Sequence, residues 1–494
     1  MGRTNDKTQD FPLDRGRFMN LPARPKVGLT TKLYYGLGSV AYGVKDNGFS
    51  SFLLLFYNQV LGLPAPWVGA AIGIALVVDS LLDPIVGQIS DTWRSSWGRR
   101  HPFMYFAAVP AALAFYFLWR PPTGLSDGQL FAYLLVMAIV VRSLITLYEI
   151  PSTALGPELS ENYDQRTALF GFRYFFGWWG GLTMTVLALG FLLRPDATHA
   201  VGQLNPAGYA AYGAVSAVIM VAAIMVSAAG THKFIPHLKG PVAESRFNLA
   251  VWLGSVRAIL ANRAFRAIMT SALFSSMAGG LGLALNSYFV TYFWQLSSAS
   301  FAVLLGSAFI AALVALLISP HLSRRFGKKP VTIGLYTLSA FFLPLPFLLR
   351  LAGWFPDNES SLLVPILFAN SVLALSLSIT ASIMGTAMIA DIAEDIEVKT
   401  GQRSEGLLFS AASVINKAVT GIGIFASGLI LSLVHFPEGA KPGQVPQHIL
   451  NELVLTYVLI AALIHGAALL CLLGYDISRK RHEDNLAELA ERVP

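Results

Sequence analysis

Two aspartates, Asp79 and Asp83, stand four residues apart in the stretch VVDSLLDPIVGQISD, directly after the apolar run AAIGIAL. Positions i and i+4 share one face of a helix. Two ionised carboxylates on that face would repel each other and lose hydration, and a shared cation or proton relieves both costs. Carboxylate oxygens are the ligands that hard cations prefer, and Ser80 with backbone carbonyls could complete a sodium shell. At mid-bilayer an ionisable side chain costs about 2.5 to 3.5 kcal/mol even on the lenient insertion scale, so each needs a partner or a water-filled cavity. Two acids on one face exceed what a single structural brace needs, which favours ion binding over a salt bridge that merely locks helices.

Other charges interrupt apolar segments in the same way. Lys45 and Asp46 lie in YGVKDNGFSSFLLLF, Arg142 and Glu149 on one face of VVRSLITLYEIPS, and Arg173 directly after Gly171-Phe172. Arg142 and Glu149 make the simplest mutual pair, two helical turns apart. Lys417 stands alone in LLFSAASVINKAVTGIGIF, and its expected counterion is the Asp79/Asp83 pair in the other half of the chain. Such a bridge would make cation occupancy and closure of the two halves interdependent. Asp91, Glu158, Asp164, Asp391, Glu394, Asp395 and Glu397 fall at the polar ends of apolar segments. They are read as partners of the arginines there, with Asp91, Arg99 and Arg100 forming a cytoplasmic gate.

Soluble-enzyme chemistry is not expected. The chain has no G-x-x-x-x-G-K-[ST] phosphate loop, no H-E-x-x-H and no clustered Cys/His ligands, so neither a catalytic site nor a cofactor is inferred. His465 reads as a packed helix residue, and Trp178 and Trp179 as lipid-facing or packing groups before sugar-stacking ones. The single cysteine, Cys471, allows no intramolecular disulfide.

Positioning these residues falls to a membrane-spanning frame. Of 494 residues, 54% are hydrophobic and 13% charged, about half the charge of ordinary soluble domains. Apolar segments long enough to cross a bilayer are expected near 33–61, 67–90, 103–120, 129–150, 168–193, 208–230, 266–294, 299–319, 331–351, 362–390, 407–435 and 451–474. Arg15, Arg17, Arg24 and Lys26 of the N-terminal arm, Arg94, Arg99 and Arg100 of the second loop, Arg324, Arg325, Lys328 and Lys329 of the eighth, and Arg479, Lys480 and Arg481 of the tail are basic. Loops such as GLPAP at 62–66 and PPTGLSDG at 121–128 are nearly free of positive charge. Both termini are therefore expected in the cytoplasm. The polar start lacks the apolar core of a cleavable signal peptide, so the first span is expected to be retained. The net charge of +7 follows from this topology and does not point to nucleic acid.

The longest internal break divides the chain nearly in half, giving expected units of a cytoplasmic arm at 1–32, a bundle at 33–230, a linker at 231–265, a second bundle at 266–474 and a tail at 475–494. In the linker, Phe247, Val251, Trp252, Val256, Ile259 and Leu260 recur at helical spacing beside Arg246, Arg257 and Arg263, which suggests a helix lying on the membrane surface. The halves echo each other: SDTWRSSWGRRHP and SPHLSRRFGKKP each place a glycine, two cations and a proline before the next helix. Two parallel bundles related by an axis along the membrane normal are the plan of major facilitator transporters. The expected fold class is an all-α membrane protein of twelve helices in two six-helix bundles.

On these residues the chain resembles the glycoside–pentoside–hexuronide:cation symporters, the melibiose permease group of the major facilitator superfamily. The resemblance covers most of the chain. Its most specific element is DSLLDPIVGQISDTWRSSWGRRHP, supported by YGLGS, Lys45-Asp46, EIPSTALGPELS, ADIAEDIE and RSEGLLFSAASVINK. It implies that Asp79 and Asp83 bind a coupling sodium ion or proton, that Asp46, Glu149 and Arg173, with Lys45 and Thr153 beside them, face a polar substrate, and that Lys417 and Arg142 link the two. Thr153 and Ser382 stand where galactoside-binding members carry stacking tryptophans, so the resemblance leaves the sugar class open. A related branch that moves lysophospholipids with sodium shares the paired aspartates, the arginine and the lysine, and remains an alternative, as does a non-transporting membrane sensor. The implied protein is a monomer in the bacterial inner membrane, with a small-molecule substrate and membrane lipid as its partners.

Overall fold

The structure is a computed structural model that describes residues 25–160, 163–197, 199, 201–238, 261–400, 405–477, 481, 484, 485 and 488. The linker pattern at 246–260 and most of both terminal arms lie outside the described residues. The chain folds into the expected twelve helices in two bundles of six. In the first bundle α1 is built from Leu29–Leu37, Ser39–Ser51, Leu53–Leu55 and a π-turn at Phe56–Val60. It is followed by α2 (Ala65–Thr92), α3 (His101–Leu118), α4 (Asp127–Leu159), α5 (Tyr163–Leu187, with a π-turn at Ala188–Leu192) and α6 (Pro206–His232). The second bundle holds α7 (Arg263–Tyr288, with a π-turn at Phe289–Phe293), α8 (Ser298–Phe326), α9 (Lys328–Phe342 and Leu345–Leu351), α10 (Leu363–Thr400), α11 (Glu405–Leu433) and α12 (Gln447–Leu473).

Among the described residues, ten helices are long and apolar enough to cross a membrane. The breaks in α1 keep it out of that set, and in α11 the apolar stretch among the described residues is Val419–Leu433. Where the expected spans stopped at the first polar residues, two helices continue. The fourth, expected over 129–150, runs 33 residues through Pro151 and Pro157, and the tenth, expected over 362–390, runs 38 residues through ADIAEDIE. The apolar band measures the bilayer, whereas the helix is limited only by its backbone bonding.

Helix starts are set by side chains that satisfy orphan backbone N–H groups. Asn205 accepts from Ala207 N, Asn262 from Phe265 N and Ser297 from Ser300 N, while Ser126 and Gln129 form a capping box. The echoed loops are also alike in backbone: Gly98 and Gly327 both adopt positive φ, 74° and 81°, a conformation that costs glycine little. Adjacency repeats as well. The pairs α1–α5, α2–α4 and α1–α6 recur as α7–α11, α8–α10 and α7–α12. Between the bundles, α2 packs along α11, α5 meets α8 and α1 meets α7.

Candidate cation and substrate site

The α2–α11 contact decides where the buried charges meet. Glycines let the two backbones approach: a Cβ on Gly428 would sit 2.5 Å from the carbonyl oxygen of Ala65, and one on Gly73 would sit 3.2 Å from that of Gly421. Close approach at small residues is how helices pack in a bilayer. One turn before Gly421, Lys417 reaches α2, with its Nζ 2.7 Å from Asp83 Oδ2 and 3.7 Å from Asp79 Oδ2. Asp79 is fully enclosed and Asp83 is 13% exposed. From α4, Arg142 donates to Asp79 Oδ2 at 3.1 Å, and Thr146 Oγ1 donates to Asp79 Oδ1 at 2.6 Å and lies 3.5 Å from Asp83 Oδ1. The Arg142 guanidinium also lies over the Phe49 ring of α1, 4.6 Å from its centre. Two carboxylates are thus matched by two cations drawn from different bundles, the arrangement that lets buried charge persist.

Two expectations are corrected here. Arg142 pairs with Asp79 on α2, not with Glu149 on its own helix. Seven residues are about 10 Å along a helix axis, and the neighbouring acid lies nearer. The Ser80 hydroxyl, among the described residues, bonds neither acid and donates instead to Val77 O at 2.7 Å. The hydroxyl that reaches the pair belongs to Thr146. A sequence signal for it existed, since Arg142, Thr146, Glu149 and Thr153 fall at 4-3-4 spacing on one stripe of α4. Ser80 keeps a second capacity. Pro84 has no N–H with which to bond the Ser80 carbonyl, so a backbone acceptor is left without its helical donor between the two aspartates.

A second polar wall adjoins this quartet. Arg173 of α5 is buried, donating to Ser152 Oγ at 3.0 Å, Thr153 Oγ1 at 2.6 Å and the Glu149 carbonyl at 3.2 Å. Its guanidinium lies 5.1 Å from the centre of the Tyr42 ring and 5.8 Å from that of Tyr35, distances at which cation–π attraction operates. Thr153 in turn donates to Glu149 O at 2.6 Å. The Glu149 carboxylate lies close enough to Lys417 and Asp83 to act on both electrostatically. On α1 the buried Lys45 holds the half-exposed Asp46 at 2.9 Å. The structure therefore brings Glu149, Arg173 and Thr153 together, and Lys45, bound to Asp46, is also near enough to act electrostatically on Asp79.

The two ends of the molecule differ. At the basic end, Glu158 of α4 bonds both Arg99 and Arg100, the latter at 2.7 Å, and Asp91 lies 3.6 Å from Arg99 and 3.3 Å from Arg100. These contacts clasp the α2–α3 loop to α4 within the first bundle. Lys328–Asp391 (2.5 Å) and Arg481–Asp395 (2.8 Å) are the corresponding pairs of the second bundle. The far end is sealed across the bundles by neutral groups that the sequence reading missed. Tyr288 donates to Asn58 Oδ1 at 2.7 Å, Tyr292 to Gln59 Oε1 at 3.0 Å, and Gln59 Nε2 to Pro437 O at 3.2 Å, while Ala440 N donates to Gln59 Oε1 at 3.0 Å. Asn58 and Gln59 lie within the π-turn of α1, and Tyr288 and Tyr292 flank or lie within that of α7. Such turns recur at functional positions. Elsewhere His465 Nδ1 sits 2.7 Å from Ala461 O as a packed helix residue, and Trp179 stacks on Phe175 and meets Phe309 across the bundles.

The sequence profile of the family described as MFS/sugar transport protein matches residues 34–479. The chain belongs to that family. This major facilitator protein is 26% identical over 461 residues to the isoprimeverose transporter of Lactiplantibacillus pentosus, covering 93% of this chain and 90% of that one. It is 22% identical to the putative glycoside/cation symporter YagG of Escherichia coli, covering 92% and 93%. It is 25% identical to the putative 2,3-dihydroxypropane-1-sulfonate exporter of Salmonella typhimurium, covering 95% and 98%. Its fold is shared with the crystal structures of the D-xylose-proton symporter (TM-score 0.60, 15% identity, 90% and 96% covered) and the nucleoside transporter NupG (TM-score 0.62, 12% identity, 91% and 99% covered). It is a multi-pass membrane transporter of small solutes and not an enzyme.

Proposed function

We propose that this chain is a cation-coupled symporter of a small polar organic solute, in which the coupling cation occupies Asp79 and Asp83 in exchange for Lys417. The observation that carries this reading is the contact of the Lys417 ammonium, supplied by α11, with Asp83 at 2.7 Å. An ammonium and a sodium ion or proton cannot both hold the same carboxylate oxygens, so occupancy of the acids and the position of α11 are linked. The ligands offered to the cation are the two carboxylates, Thr146 Oγ1 and the Ser80 carbonyl freed by Pro84. Lys417, once displaced, meets Glu149, which puts the second polar wall in register with the first.

That wall is the substrate surface in this reading: Arg173, Thr153 and Glu149 on one side, Lys45 and Asp46 on the other, with Arg142 and Lys417 as the network between cation and substrate. Its mixed charges and hydroxyls suit a glycoside, a uronide or another small oxygen-rich solute, in keeping with the isoprimeverose transporter and the putative glycoside/cation symporter among the relatives. Those names lend nothing to the lysophospholipid or sensor alternatives. The protein sits as a monomer in a bacterial plasma membrane with its basic end, and both termini, in the cytoplasm, so a conformation sealed at the far end faces inward. In this reading the clasp of Asp91, Arg99, Arg100 and Glu158 holds the first bundle rigid as the cytoplasmic gate moves.

The test is uptake into proteoliposomes of glycosides and uronides under imposed sodium, lithium or proton gradients. Asp79→Asn and Asp83→Asn should abolish uphill accumulation while the protein still inserts. Normal concentrative uptake in both variants would sink the assignment.

A further inference from the structure

The third helix of each bundle ends in an arginine at the far end, Arg120 after α3 and Arg350 in the last turn of α9. Arg350 is fully provided for: it donates to Asp357 Oδ1 at 2.8 Å, to the carbonyl oxygens of Pro356 and Phe355 at 2.5 and 3.4 Å, and to Asn358 Oδ1 at 3.2 Å. Arg120 stands at the equivalent place without a carboxylate bond among the described residues. Its guanidinium donates to the neutral Tyr116 hydroxyl at 2.5 Å, and the same ring lies 6.0 Å away. Where the second bundle supplies a counterion from its own loop, the first has a recess of about 520 Å³, lined by Arg120, Tyr116, Thr123, Tyr133 and Met137. That volume lies in the range of small-ligand pockets.

The recess is continuous with lipid-exposed protein. On α3, Leu113 and Phe117 are exposed, and on α4, Val136 and Val140 are exposed, so the walls below the arginine are apolar and face outward from the bundle. A site with one uncompensated cation, neutral hydroxyls beside it and two apolar walls leading into the bilayer matches one kind of molecule. We propose that the recess binds an anionic membrane phospholipid, with its phosphate on Arg120 and Tyr116 and its acyl chains along α3 and α4. A guanidinium is suited to phosphate because its donors match the oxygen geometry. The assignment is independent of the transport site, which lies on the opposite side of α4.

The experiment is thermal unfolding of the purified full chain in detergent, titrated with phosphatidylglycerol, phosphatidylcholine and inorganic phosphate. Phosphatidylglycerol should stabilise at about tenfold lower concentration than phosphatidylcholine, the size of one charge-assisted contact, and inorganic phosphate should do nothing. Arg120→Gln should erase the preference, and so should Thr123→Asp, which supplies at an exposed loop position the carboxylate that Arg350 already has. Arg194→Gln, at the same end but outside the recess, should keep it. Equal stabilisation by both lipids, a preference that survives Arg120→Gln and Thr123→Asp, or a phosphate effect as large as that of the lipid would each overturn the proposal. Should Arg120→Gln fail to fold, the Thr123→Asp result decides.

Discussion

If a coupling cation and Lys417 compete for the same oxygens, removing the lysine must tighten cation binding even as it destroys coupling. The Nζ–Oδ2 separation of 2.7 Å corresponds to a gross attraction of about 6 kcal/mol at an effective dielectric of 20. Most of that is offset, because Lys417 is 22% and Asp83 13% exposed and both recover hydration when they part, leaving about 1 to 2 kcal/mol of net pairing. The variant Lys417→Gln should therefore bind the coupling cation about tenfold more tightly, since 1.4 kcal/mol is a factor of ten. Arg142 still neutralises Asp79 in this variant, which keeps the second acid as an unmatched site for the ion. The assay is isothermal titration of purified protein with sodium and lithium, and with a pH series for protons, alongside counterflow in proteoliposomes. Uphill accumulation should be lost. A folded Lys417→Gln protein with unchanged or weaker cation affinity would refute the competition and leave Lys417 as a structural brace.

Thr146→Val removes the hydroxyl 2.6 Å from Asp79 Oδ1 and should weaken cation affinity about tenfold, the loss of one hydrogen bond to a charged group; titration of the same kind reads it. Gln59→Leu deletes three bonds that close the far end, about 3 kcal/mol at roughly 1 each. In a Cys471→Ala, Thr291→Cys background it should speed labelling by an impermeant maleimide from that side, and an unchanged rate would show that the seal rests on apolar packing. Glu158→Gln leaves the buried Arg99 and Arg100 with Asp91 as their remaining described acid. It should cost about 3 kcal/mol, seen as a lowered midpoint in thermal unfolding of the purified protein.

How much of this was legible in the sequence depended on the range of the interaction. The apolar segments, the glycine turns at Gly98 and Gly327 and the one-face placement of Asp79 with Asp83 follow from local rules, namely the thickness of the bilayer and the pitch of a helix. The cost of burying charge was equally local, and it marked Arg142, Arg173 and Lys417 as residues in need of partners. Which partner each one found was not local. Arg142 took Asp79 and not Glu149 because α4 packs on α2, Thr146 displaced Ser80 because neighbouring helices decide which hydroxyl reaches an acid, and Lys417 reached Asp83 because glycines bring α11 against α2. The far-end seal of Asn58, Gln59, Tyr288 and Tyr292 gave no charge signal, since uncharged groups at helix ends are inexpensive wherever they fall. Sequence alone determined which side chains could not stand unpaired in a membrane, because that cost belongs to each residue; the pairing belongs to helix packing, and only the tertiary structure could decide it.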